Sequence, residues 1–242
     1  MERRTLLIAS AAAALAMPLG ASAGVARKMR IVTSHLPSLV HETGKPGGVQ
    51  ELVNELCKRA GLAPATRFVP WPRALFLASK TAATAIYPLT RLPGRERDYR
   101  WLVPLFDEHF ILLAVKGKLR PLEEMKPLRI ALLRGAAQAS ILREQGFTRF
   151  VEASSIDEVH RFLLGGMADA AFGERRIIQA SLKMHGAQEG EFEFSAPVGT
   201  TTAWLAGSLD FDDTDVALFQ RALASMQADG AQRRILARHD LA

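Results

Sequence analysis

Short runs of consecutive apolar residues alternate along this chain with stretches in which apolar residues recur every three or four positions. The first kind of pattern predicts buried strands and the second amphipathic helices. Lys28 to Ser34 reads as a strand, and Pro37, Gly44, Pro46, Gly47 and Gly48 mark a loop after it. Val49, Leu52, Val53, Leu56, Cys57 and Ala60 then form one helical stripe, which Gly61 ends. Strand, helix and strand follow at Thr66–Val69, Pro72–Lys80 and Ala82–Tyr87, before the polar loop "TRLPGRERDYR" and the apolar "WLVPL". After a strand at Phe110–Val115 and the turn-rich "KGKLRPLEEMKP", a second series of the same kind begins at Leu128. Its strands are Leu128–Leu133, Phe150–Glu152 and Ala168–Phe172, and its helices are Ala136–Gln145, Ser155–Leu164 and Glu174–His185. Extended segments at Phe192–Phe194 and Thr200–Leu205 lead to closing helices over Asp213–Arg238, broken at Gly230.

Alternation of this kind predicts parallel sheets covered by helices, because parallel strands require crossover connections. The class is α/β, with two lobes: residues 24–115 plus 200–242 form the first, discontinuous lobe, and 116–199 the second. Each lobe is expected to be a mostly parallel sheet flanked by helices, the two joined by a hinge of two strands.

The amino terminus stands apart from this pattern. Arg3 and Arg4 precede an apolar run from Leu6 to Leu19, and Ala21-Ser22-Ala23 supplies small residues at the spacing of a cleavage site. Residues 1–23 therefore read as a secretory signal, with a faint twin-arginine flavour. The run is too short to span a bilayer, so a periplasmic product is expected. Within 242 residues, 48% are apolar and 23% charged, which is ordinary globular composition. Cys57 is the single cysteine, so an intrachain disulfide and a cysteine zinc site are excluded, and a buried, inert thiol is the simpler reading. The net charge of +6 is scattered among acidic residues, which argues against a nucleic-acid partner.

No phosphate loop, G-x-S-x-G elbow or H-E-x-x-H pair occurs, so no catalytic residue, metal or cofactor is expected. What remains suits holding a small molecule. Arg91, Arg95 and Arg97 share a loop after a strand, where ligands of open α/β sheets sit, and a guanidinium meets a carboxylate through two parallel bonds. Glu174 follows the strand "ADAAF" at a helix start, where it either accepts from a ligand ammonium or simply complements the helix dipole. Arg134-Gly135-Ala136-Ala137 joins strand to helix, so its backbone N–H groups are candidates for an anion. Trp71 offers an apolar wall or plain packing, Arg73 a second cation, and Tyr87 and Thr90 flank the arginine loop.

Six segments taken in order, "GVQELVNELCKRAGL", "VPWPRAL", "YPLTRLPGRERDYRWLVPL", "LRIALLRGAAQASIL", "LLGGMADAAFGE" and "ALASMQADGAQRRILARH", resemble the type II periplasmic solute-binding proteins of the amino-acid-binding family, also called extracellular solute-binding protein family 3. The resemblance spans nearly all of residues 29–240. It implies two lobes that close on a small zwitterionic or anionic solute and hand it to an inner-membrane ABC permease, the protein acting as a monomer. It further implies that Arg95 clamps a ligand carboxylate and that Glu174 receives an ammonium, with Asp169 more structural. Two positions depart from the family: His35 and Leu36 stand where an aromatic commonly stacks on the ligand, and Ala136 and Ala137 stand where hydroxyl residues are common. Glu174, in place of the more usual Asp, lengthens the acidic arm by one methylene. An enzyme of dehydratase type on the same scaffold, with Glu174 as proton donor, and a sensory receptor remain open as alternatives.

Overall fold

The computed structural model describes residues 27–241, so the expected leader at 1–23 lies outside the described residues. Nine strands form one continuous sheet, and eight α-helices cover its faces. In the first half, β1 (Arg27–Thr33) lies parallel to both β2 (Leu62–Phe68) and β3 (Thr84–Thr90), with α1 (Gly48–Arg59) and α2 (Trp71–Lys80) as the crossovers. In the second half, β5 (Ile130–Leu133) lies parallel to β6 (Phe150–Ala153) and β7 (Ala170–Glu174). The helices here are α3 (Leu122–Met125), α4 (Gln138–Glu144), α5 (Ile156–Leu164) and α6 (Arg175–Met184).

Two long antiparallel strands join the halves. β4 (Arg100–Val115) pairs with β9 (Gly199–Gly207) from Arg100↔Gly207 to Phe110↔Gly199, then with β7 from Phe110↔Glu174 onward, while β8 (Phe192–Phe194) meets its end. The sequence pattern had separated "WLVPL" from Phe110–Val115 at the polar triplet Asp107-Glu108-His109, whereas the backbone runs through it as one strand. Pairing with β9 on one side and β7 on the other supplies the hydrogen bonds that hold those polar residues extended. The α/β class and the two lobes are as expected, but the sheet is mixed, since β4, β8 and β9 are antiparallel to their neighbours.

Every residue of β3, β5 and β7 is buried, as strands covered on both faces require. In the first half the core gathers Ile31, Leu52, Tyr87, Leu205 and Phe219. In the second half β4 divides its side chains between the faces: Phe110, Leu112 and Ala114 enter one cluster, Ile111 and Leu113 the other. That split is the two-residue period of a strand. In α1 the stripe Val49, Leu52, Val53, Leu56 and Cys57 is buried, and burial pushes the Cys57 thiol up to about 12, which makes it inert. After β9 the chain enters α7 (Asp213–Ala228) and α8 (Ala231–Arg238), which pack on α1. Arg59 of α1 pairs with Asp229 at 2.7 Å, and His239 Nε2 lies 2.7 Å from Glu51 of α1. No helix of the described residues is long and apolar enough to cross a membrane.

Candidate functional site

The site forms where the halves face each other at the carboxyl ends of their parallel strands. From the first half come Leu36, Trp71 at the start of α2, and Pro88 and Thr90 at the end of β3. From the second come Leu133 at the end of β5, Ala136, Ala137 and Gln138 at the start of α4, and Glu174 between β7 and α6. The hinge strand β4 adds Glu108 and Phe110 to the floor. These groups enclose a cavity of about 40 Å³. Leu36, Trp71, Leu133 and Ile156 separate it from an outer cleft of about 380 Å³ that His35, Glu42 and Ser154 also line. The lobes are shut here: Arg95, in the turn after β3, donates from Nη1 to the Thr90 carbonyl and from Nη2 to the Gly135 carbonyl, both at 3.0 Å. Gly135 permits the approach, because its φ is +75° and a Cβ there would lie 3.3 Å from Leu75 of α2.

Glu174 ends β7 and caps α6. Its Oε2 accepts from the backbone N–H groups of Arg176 and Ile177 at 2.8 and 3.1 Å, and its Oε1 accepts from Arg176 Nη1 at 3.1 Å. It is 1% exposed, and burial raises its pKa while those donors hold the rise in check. Glu108 is buried without an ion-pair partner among the described residues, and its Oε2 accepts from the Thr90 hydroxyl at 2.8 Å. Burial, reinforced by the nearby Glu174 charge, pushes the Glu108 carboxyl up to about 8, so near neutral pH it is mostly protonated. His160 on α5 also reaches the cavity. Its Nδ1 lies 2.8 Å from the Ser181 hydroxyl, and burial depresses its pKa to about 4. Three buried atoms on this wall have no hydrogen-bond partner: Trp71 Nε1, Gln138 Oε1 and His160 Nε2. Unpaired buried polar atoms are costly and rare, so three at one cavity mark it as a place for an outside partner.

The structure brings Trp71, Thr90, Ala136, Ala137 and Glu174 together at the cavity, and places His35 in the outer cleft. Arg95 stands at the rim, half-buried, bonded across the cleft as described, and burial lowers its pKa against the opposing influence of Tyr99 and Glu108. Four expectations are not met in that place. Tyr87 faces the core of the first half beside Cys57, because successive residues of β3 alternate between faces. Arg91 forms a bidentate pair with Glu96 and stacks on Trp101 and Trp204 at 5.3 and 4.8 Å, away from the cavity. Arg73 is exposed over Phe76. The Ala136 N–H donates to the Leu133 carbonyl, so it is not open to an anion. Asp169 pairs with Arg129 at 2.8 Å on the far side of β7.

Sequence reasoning missed Glu108, Gln138 and His160. Glu108 was readable: in an unbroken strand it shares a face with Phe106 and Phe110, two residues to either side. Gln138 and His160 carried no such mark, since polar residues are common on helices.

No protein-family model and no curated protein matches the sequence. Solved structures do. The GluR0 ligand-binding core from Nostoc punctiforme in complex with L-glutamate superposes with a TM-score of 0.76 at 15% identity, over 87% of this chain and 98% of that one. An ancestral arginine-binding protein bound to arginine gives 0.75 at 15% identity, over 88% and 98%. A histidine kinase sensor domain with similarity to periplasmic binding proteins gives 0.77 at 18% identity, over 88% and 96%. The fold of this chain is therefore that of the periplasmic amino-acid-binding proteins, two α/β lobes on a two-strand hinge.

Proposed function

We propose that the protein is a periplasmic solute-binding protein that captures a small, amino-acid-like solute between its lobes. The observation that carries this reading is the cavity itself, whose walls come from both lobes and whose three partnerless polar atoms await a ligand. The lobes would divide as residues 24–115 with 200–242, and 116–199, turning on β4 and β9. Entry requires the lobes to part, which frees Arg95 from the Gly135 carbonyl. The released guanidinium then holds an anionic group such as a carboxylate, and Glu174 faces a cationic one. Trp71 and Phe110 supply apolar contact, and closure excludes water and strengthens both polar contacts.

In this reading the chain is a monomer without cofactor or enzymatic turnover, delivering its solute to an inner-membrane ABC permease. The titles under which similar folds were solved name glutamate and arginine as ligands of those proteins, which supports the solute class. The sensor domain of the same fold favours a second reading, in which ligand occupancy is reported to a partner instead.

A thermal-shift screen of the purified protein against amino acids, amines and small carboxylic acids tests the proposal. A ligand at about a hundred times its Kd adds about 2.7 kcal/mol, or a Tm rise of about 5–10 °C for a chain of this size. A flat response across all three classes would refute solute binding.

A further inference from the structure

Resting on that reading, we propose that Glu108, Glu174 and Gln138 jointly take the primary ammonium of an organic amine, and that Glu108 gives up a proton to do so. β4 and β7 run antiparallel with Phe110 opposite Glu174, and Glu108 lies two residues from Phe110 on the same face. The two carboxyl-bearing residues are thus diagonal neighbours, with Cα atoms about 7–8 Å apart, close enough for both side chains to meet one nitrogen. Both line the cavity, and so does Gln138, 6% exposed, whose Oε1 has no partner among the described residues. A primary ammonium carries three N–H donors and no acceptor, which matches three acceptors on one wall.

Charge decides the rest. Glu174 is already balanced by Arg176, whose guanidinium also bonds the carbonyls of Asp107 and Asp240. Arg95 stands on the other side of Glu108, and His160, on the same wall, is neutral above about pH 4. Asp107 and His109 flank Glu108 along the strand but alternate to its opposite face. The ionised Glu108 is therefore the charge that an incoming cation needs. The balance is simple: the ammonium enters with its charge, and the proton held on Glu108 leaves to solvent. The remainder of the amine extends past Trp71 into the outer cleft.

Titration calorimetry of the full chain with agmatine, putrescine and L-arginine, run in two buffers of different ionisation enthalpy, reads the released proton directly. The expected result at about pH 6.5 is close to one proton released per amine bound, falling at about pH 9, with Kd tightening about tenfold per pH unit below the Glu108 pKa. Glu108→Gln should weaken amine binding at least about tenfold and remove its pH dependence. Amine binding without proton release at the lower pH overturns the proposal on the unaltered protein, whatever the variant does. Selective binding of L-glutamate or succinate with no amine binding overturns it too, while leaving solute capture intact. If no compound of either kind binds, the solute-binding reading falls and takes this one with it.

Discussion

Two buried titratable side chains, Glu108 and His160, make the stability of this protein depend on pH in opposing ways. Folded, Glu108 keeps its proton up to about pH 8; unfolded, it ionises near its ordinary value of 4.5. Between those limits the folded chain holds the extra proton, so stability falls as pH rises. His160 stays neutral in the fold down to about pH 4, whereas its ordinary value is 6.5, so its contribution is lost as pH falls through that window. The two offset each other between about 4.5 and 6.5, and above 6.5 the Glu108 decline stands, with Glu174 adding to it because burial raises its pKa as well. The Tm of the ligand-free protein should therefore drop between pH 6.5 and 8, and Glu108→Gln should flatten that drop. A variant with the same pH profile as the parent would show that Glu108 is ionised in the fold.

At the scale of elements, the site depends on where strands stop. β3 and β5 run buried to their carboxyl ends and release Thr90 and Leu133 into the cleft, while β7 ends on the Glu174 that caps α6. The loop that sets Leu36 against the cavity is held by α1, whose entry at Gly47 passes so near the backbone that a Cβ would sit 2.4 Å from the Leu39 carbonyl carbon. Backbone cannot swing aside as a side chain can. Gly47→Ala should cost about 1–3 kcal/mol in urea unfolding, as overpacking does, whereas Gly94→Ala, with open space around it, should stay within about 0.5 kcal/mol. Equal effects would place the strain elsewhere.

For the whole molecule, the decisive property is that the halves share one sheet but separate cores, so bending at β4 and β9 leaves both cores intact. Arg95 is the cross-cleft bond that crosses from the β3 turn to the α4 loop. Arg95→Ala should let the empty protein open, seen as a larger radius of gyration in solution scattering, with Tm nearly unchanged because no core residue is lost. The same variant should lose its thermal response to any solute that shifts the parent. An unchanged radius together with an intact ligand response would remove Arg95 from both roles.

Much of this was legible in one dimension. The strand and helix periods dictate the α/β class, because a parallel strand buried on both faces must be continuously apolar and must be followed by a crossover helix. Glu174 was legible as well, since an acid between an apolar strand and a helix start has few other places to go. Contacts between distant segments were not. Whether Tyr87 faces the core and Thr90 the cleft, whether Arg91 is spent on Glu96 and Trp204 while Arg95 reaches Gly135, and whether Asp107 to His109 break a strand or extend it are settled by partners up to about a hundred residues away. Local sequence carries the period of an element; the protonation of Glu108 comes only from the walls that tertiary packing raises around it, by keeping water out.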